Sequence, residues 1–538
     1  MIILDTLHLA SGSQDNFIRV YKITKSDNSK DDITNKFFKM NETKYNITLD
    51  TVLYGHEAWI YSVKWTQNQN GVLMLLSSSI DKSVILWKQQ GENDIITEEL
   101  RVGNIGGNNL GFIGSLITED HRMIIGQSYT GALHVWSYNE ESSSWLANVS
   151  IGGHANSVTD VSWDPQGNYL LSCSSDQTTR LHACWLQEGS TQLSWHQIGR
   201  PQIHGYDLNC LAAIDSLTFA SGADEKVLRI FKATKSFIKS VQNISNVDLL
   251  KSNKLEGDLA EFATLQPLGL SSKAVFDKSQ GNEYFKSIEL TKPPSEEILA
   301  QNTLWPEVHK LYCHGFELFT VTCNHRSSLI ATACKANKTD HAFIVIWDIL
   351  KGFKEIARLS FHQLTVTQLK FSPSDEYLVS CSRDRTWALY KITLSDSSHS
   401  FERVAFSDKK TGVHSRIIWD VAWTPDSRYF ATASRDKKAI FWEIVRQRDD
   451  SCLDVVKRVS DGHLVASDSI NTIDIASFLV KSCYIIAMGL ENGAIPIYSW
   501  SLGSKWIHIN TIFNWFVLHS LFTFILIIVL FLPLFLAT

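Results

Sequence analysis

The 538-residue chain lacks most of the marks of an enzyme or a secreted protein. Its nine cysteines are scattered and odd in number, with no Cys-x-x-Cys pair and no zinc-ligand spacing. That excludes a disulfide framework and a zinc ribbon, and fits reduced thiols in a cytosolic or nuclear protein, most of them small core hydrophobes. No secretory signal is legible, so the Asn-x-Ser/Thr triplets at Asn41, Asn46, Asn148 and Asn243 read as chance matches. Basic residues are not in excess: 50 Lys and Arg stand against 56 Asp and Glu, for a net charge of −6. A general nucleic-acid binder is excluded, although a local basic patch is not. There is no P-loop, GxGxxG, HExxH or GxSxG motif. Catalytic, metal and cofactor residues are accordingly assigned to none.

What is present is repetition. Five segments each open on a His, carry an acidic residue 20 to 25 positions later, and place an aromatic or a His six or seven positions beyond that. They run His56…Asp81…Trp87, His154…Asp176…His182, His204…Asp224…Phe231, His362…Asp384…Tyr390 and His414…Asp436…Trp442. Further strand-end aromatics fall at Tyr21, Trp136, Trp347 and Tyr498, and most gaps in the series are 43 to 56 residues. That is close to the roughly 40–45 residues of a WD40 blade plus loop insertions. Within one unit, WIYSVKW (59–65), LMLLSSS (73–79) and KSVILW (82–87) read as successive strands with the alternation of half-buried sheet. The expected fold is all-β, with tandem WD40 β-propellers of which the first is incomplete.

The repeated polar residues have a structural reading. The turn Asp accepts hydrogen bonds from the loop His and nearby backbone, while Ser79, Ser382 and Ser434, together with the Trp, are expected to complete a buried network. A catalytic His–Asp–Ser reading fits poorly, because an enzyme needs one nucleophile site and this trio recurs along the chain. Several units depart from the pattern. Thr130 stands where an acid is expected before Trp136, Glu225 is better spaced to Phe231 than Asp224 is, and Cys313-His314 replaces Gly-His before Trp347. Residues 259–276 read either as a degenerate blade or as part of an insertion.

Length divides the chain further. A seven-bladed ring needs about 300 residues, so residues 1–145 are expected to form the last blades of a first propeller and 146–505 a second one. Polar stretches at 24–50 and 240–300 read as surface insertions. Residues 506–538 contain no Lys, Arg, Asp or Glu. Their apolar run at 516–538 is long enough to cross a bilayer, which takes about 20 residues. Two readings stay open: a tail anchor contacting membrane through 511–537, or a read-through or frameshifted gene model.

Several strings are more particular than the repeat. They include RVGNIGGNNLGF (101–112), DQTTRLHACW (176–185), WHQIGRPQIHGYDLNCLA (195–212), QNTLWPEVHKLYCHGFELFTVTCN (301–324) and VHSRIIWDVAWTPDSRYFATASRDKKAIFW (413–442). Over roughly residues 5–500 the chain resembles the family of second subunits of the Elongator complex. The resemblance implies tandem WD40 propellers without enzymatic activity. The implied partners are the large scaffold subunit and the catalytic acetyltransferase subunit, in an assembly that modifies the wobble uridine of certain tRNAs and was first linked to transcription elongation and histone acetylation. The implied location is cytoplasmic and nuclear. The first several blades of the family pattern are missing here. The alternatives are a WD40 adaptor of another assembly or a membrane-anchored variant.

Binding is expected on one rim of the second propeller. Arg383 and Arg435 precede turn acids, Arg385, Lys437 and Lys438 follow them, and Arg416 lies in a neighbouring loop. Arg presents a planar fork suited to phosphate or carboxylate. The cluster reads as a patch for tRNA or an acidic partner surface. The competing reading pairs one or two of these arginines with the turn Asp.

Overall fold

The computed structural model describes residues 2–3, 6–25, 36–40, 43–67, 71–90, 95–103, 111–187, 193–250, 259–264, 288–394, 399–408, 412–445 and 455–513. Nine antiparallel sheets account for nearly all of it, eight of them four-stranded with strand order following chain order. We number them one to nine along the chain, spanning residues 2–54, 60–103, 112–147, 158–203, 208–312, 318–360, 366–406, 418–465 and 470–513. The expected all-β architecture of stacked blades is what the chain adopts.

Two compact units divide the chain. The first comprises Met1–Ala155 with Thr264–Val275 and Leu290–Thr303, and holds sheets one to three. Apolar faces are shared between neighbours. Ile18, Val20 and Leu53 of sheet one pack with Leu75, Ile85 and Trp87 of sheet two, and Met74, Leu76 and Leu86 pack with Ile124 and Trp136 of sheet three. The helix Glu296–Asn302 belongs to this unit, where Ser150 donates to the Glu296 carboxylate at 2.7 Å.

The second unit holds sheets four to nine. The first strand of each sheet packs on the first strand of the next, from Val158–Trp163 through Leu208–Asp215, Leu318–Cys323, Val366–Phe371 and Ile418–Trp423 to Ile470–Ile475. Each of these strands carries a bulge at its second residue, which bends the strand and re-aims that side chain.

Second strands explain a departure from the expected alternation. Leu73–Ser79 is buried at every position, as are Tyr169–Ser174, Tyr377–Ser382 and Tyr429–Ser434. In sheets two, seven and eight a neighbouring sheet covers each face, so the pattern is continuous apolar and small residues rather than a period of two.

Other sequence expectations are corrected. The supposed insertion at 24–50 contains two strands, Lys36–Met40 and Thr43–Tyr54, and the latter pairs along the whole of Phe17–Lys25. Its Tyr45, Ile47 and Leu49 supply the strand alternation that the surrounding Lys, Asp and Asn obscure. Residues near 240 are helical. Lys235–Ser245 starts at Thr234, whose hydroxyl accepts the Phe237 amide, and ends at the left-handed Asn246. Phe237, Ile238, Val241 and Ile244 form its buried stripe. Phe237 meets Trp305 edge-on at 5.0 Å, and Trp305 in turn packs on Phe219. Ile507–Phe513, counted with the apolar tail, is the fourth strand of sheet nine. The run 516–538 and most of 259–276 lie outside the described residues. Among the described residues no helix is long and apolar enough to cross a membrane, and all eight described cysteines are free thiols.

Candidate functional site

The turn between the second and third strands of each sheet sets the rim. In sheet two Asp81 accepts the amide and hydroxyl of Ser83 at 2.8 and 2.7 Å and the amide of Glu57 at 2.9 Å. His56 Nδ1 lies 2.8 Å from the same carboxylate. The other ring nitrogen, Nε2, is 2.8 Å from the Ser77 hydroxyl, which also accepts the Trp87 indole N–H at 2.8 Å. Acid, imidazole, hydroxyl and indole thus form one buried chain across the sheet. Sheet eight repeats it with Asp436, His414, Thr432 and Trp442. Sheet seven carries Asp384, His362 and Ser380, with Tyr390 in the aromatic position. Sheet six keeps only His314, Thr332 and Trp347. There burial, helped by Arg358, pushes the His314 imidazole down to about 4.

The hydroxyl in this chain is not the one expected. Ser79, Ser382 and Ser434 sit two residues later, at the strand end, where each accepts the amide of the turn acid and donates to a loop carbonyl: Ala58, Thr365 and Arg416 respectively. Residues two apart share a strand face, so only depth separates the two hydroxyls, and the inner one reaches the Trp.

Sheet five corrects a second assignment. His204 pairs with Glu225 at 3.1 Å, not with Asp224. Arg229 clamps Glu225 at 2.6 Å and Glu307 at 2.5 Å, while Asp224 faces outward to Asn209 and Lys335. In sheet four Asp176 is held by the Thr178 hydroxyl at 2.6 Å and by the buried Arg180 at 3.5 Å; His154 lies half-buried in the loop before that sheet.

Burial alone would raise the carboxyl of Asp384, but the bonds from His362, Thr386 and the Gln363 amide outweigh it and hold it at about 2. Glu225 is held at about 2 by His204 and Arg229 in the same way. These acids are locked as anions by the fold. Among the described residues no group of His, Cys, Asp and Glu is placed to hold a metal ion.

The turn acids being occupied, the neighbouring arginines remain outside. Arg383, Arg385, Arg416 and Arg435 are exposed on sheets seven and eight. The Arg383 amide bonds the Thr365 carbonyl and the Arg435 amide the Ile417 carbonyl, both at 3.0 Å, which fixes their backbone on the rim. Arg385 and Lys437 follow the acids in the left-handed conformation, at φ of 73° and 67°. Lys437 is engaged, with Asp468 at 3.3 Å and the Ser467 carbonyl at 3.1 Å. Lys438 is half-buried, its amide spent on Asp436.

Comparison with known proteins agrees with this construction. The family model described as WD domain, G-beta repeat matches residues 48–88, 147–182, 353–391 and 408–443. A human protein named Elongator complex protein 2 is 43% identical over 92% of this chain and 64% of its own length. Its namesakes from Danio rerio and Drosophila melanogaster are 40% and 41% identical, over 65% and 67% of their lengths. The chain therefore spans about two thirds of the length of these relatives. At 41% identity to the Drosophila melanogaster protein over 67% of that relative's length, the chain belongs to the Elongator complex protein 2 family.

Proposed function

We propose that the chain is a non-catalytic scaffold of the Elongator assembly. It would hold the large scaffold subunit and the catalytic acetyltransferase subunit, and so support modification of the wobble uridine in tRNA in the cytoplasm and nucleus. The observation that carries this reading is the 43% identity to the human Elongator complex protein 2 across 92% of the chain. The polar chemistry agrees with it. The His–acid pairs of sheets two and eight are spent on a turn and an indole inside the sheet.

The rim arginines are the proposed contact. Arg383, Arg385, Arg416 and Arg435 carry four positive charges on neighbouring sheets of a chain whose net charge is −6. A guanidinium fork that meets no carboxylate among the described residues suits phosphate oxygens or an acidic partner.

The test is mass spectrometry of proteins that co-purify with the tagged chain from its own cells. Recovery of the large Elongator subunit and the acetyltransferase subunit is expected. Recovery of another assembly's subunits without these two overturns the scaffold reading. For the rim, replacing Arg383, Arg416 and Arg435 together by Ala is expected to weaken tRNA binding or complex recovery; if both stand unchanged, the rim is not the contact.

A further inference from the structure

The bulge in each first strand does more than bend it. Its residue lies along the rim and reaches the next sheet. The Thr159 hydroxyl donates to the Leu208 carbonyl at 2.7 Å, the Asn209 amide to the Leu318 carbonyl at 3.0 Å, and the Thr367 hydroxyl to the Ile418 carbonyl at 2.6 Å. Two sheets put an aromatic at this position instead: Phe319 in sheet six and Trp419 in sheet eight. The Phe319 ring has no donor for the bond that Thr or Asn makes there, the Trp419 indole shows no such bond among the described residues, and both rings are half-buried, with surface open to solvent.

These two positions lie on sheets that carry or adjoin the free arginines. The strand Leu318–Cys323 packs on strand Val366–Phe371, and the residue before the latter, Thr365, holds the Arg383 amide on its carbonyl. The strand Ile418–Trp423 packs on Ile470–Ile475, and the residue before the latter, Ser469, donates to the Arg435 carbonyl at 3.3 Å. Arg416 lies three residues before Trp419. From sheet six to sheet eight the series is therefore Phe319, then Arg383, then Arg416, Trp419 and Arg435 on one sheet and the loop before it.

We propose that this arc binds single-stranded RNA, with phosphates on Arg383, Arg416 and Arg435 and unpaired bases stacked on Phe319 and Trp419. The proposal rests on the reading of the arginines as a phosphate contact and adds the class of nucleic acid. Duplex RNA shows its backbone but hides its base faces. A strand with unstacked bases satisfies both halves of the arc at once, because stacking on aromatic rings accepts any base while the cations track the backbone. A purely phosphate-binding or acid-binding rim has no use for two half-buried rings among its charges.

The experiment is fluorescence anisotropy on the full chain. The probes are a labelled oligouridylate of about 12 nucleotides, a length within one strand-binding site, and its duplex with oligoadenylate. Trp419→Leu and Phe319→Leu are each expected to weaken the single strand roughly 5- to 150-fold, the range for one lost stacked base, and to leave the duplex unchanged. Arg383, Arg416 and Arg435 replaced together by Ala should weaken both probes and lower the single-strand salt slope by about 2. If the arginine variant weakens binding and the aromatic ones do not, the stacking proposal fails and the phosphate reading stands. If neither weakens binding, both fail. Equal loss of single strand and duplex on aromatic substitution also overturns the stacking proposal. Photocrosslinking of the oligouridylate to the unaltered chain checks the site without any variant. Crosslinks on the strands Leu318–Cys323 and Ile418–Trp423 are expected, and crosslinks only elsewhere overturn the proposal.

Discussion

The indole N–H of Trp442 donates to the hydroxyl of Thr432 at 3.0 Å. The same oxygen stands 2.8 Å from His414 Nε2, so one buried hydroxyl serves both the indole N–H and this ring nitrogen. Thr432→Val keeps the shape and removes the oxygen. It is expected to cost about 2–4 kcal/mol, since two buried polar groups lose their partner. Ser434→Ala, at the strand end, should cost about 1 kcal/mol. Urea denaturation of the two variants checks the order, and an equal or reversed loss would show that the outer serine carries the chain of bonds.

The acids give stability two opposite dependences on pH. Asp384 and Glu225 sit at about 2 in the folded chain, below their ordinary values of 3.8 and 4.5. Their contribution is complete above those ordinary values and is lost as pH falls from about 4 toward 2. Asp474, on the first strand of sheet nine, behaves in the other sense. Burial pushes it up to about 6, with Lys370 opposing and Asp420 adding to the shift. Asp160 is likewise raised to about 6. These two cost stability above pH 6, and the cost is relieved as pH falls toward 4. Melting temperature should therefore peak near pH 5. Asp474→Asn should raise it at pH 7.5 and not at pH 4.5. A flat profile from pH 7.5 to 5 would contradict the raised values.

In sheet five the two adjacent acids separate cleanly. Glu225 is buried among His204 and Arg229, whereas Asp224 meets Lys335 in an ion pair with both partners about 40% exposed. Glu225→Ala leaves the buried His204 ring without its carboxylate and Arg229 with Glu307 alone, and is expected to cost about 1–3 kcal/mol. Asp224→Ala should cost less than about 1 kcal/mol. Thermal melts of the pair decide between them.

Much of this was legible in the sequence, and the reasons for the rest are local. The turn acids stand out because a tight turn puts one at nearly constant distance from His and Trp, and His56, Asp81, Trp87, His362, Asp384, His414, Asp436 and Trp442 all take the places expected of them. Ser79, Ser382 and Ser434 were assigned one step too far outward. Ser77 and Ser79 share a face, and spacing alone does not show which is deeper. Glu225 was visible as the better-spaced acid, but Asp224 fits the bare pattern. The helix Lys235–Ser245 had both its signals in view, Thr234 as cap and apolar residues at 237, 238, 241 and 244; the polar composition around it masked them. The bulge positions carry no sequence signature, because Thr, Asn, Phe and Trp all occupy them.

Gly222 gives the sharpest packing prediction. It lies in the fully buried strand Thr218–Ala223, opposite Cys210. A Cβ there would come within 2.6 Å of Cys210 Sγ and 2.8 Å of Leu318 Cβ, the latter on the first strand of sheet six. Cys210 is 2% exposed and Leu318 is fully buried, so neither has room to withdraw and sheets five and six would have to part. Gly222→Ala is expected to destabilise the second unit by about 1–3 kcal/mol, the range for an extra methyl in a filled core. Cys210→Ala in the same chain removes the nearer obstacle and should recover part of that loss, which a double-mutant cycle measures. Independent, additive effects of the two substitutions would mean that the Cys210 sulfur does not stand in the way of the added methyl.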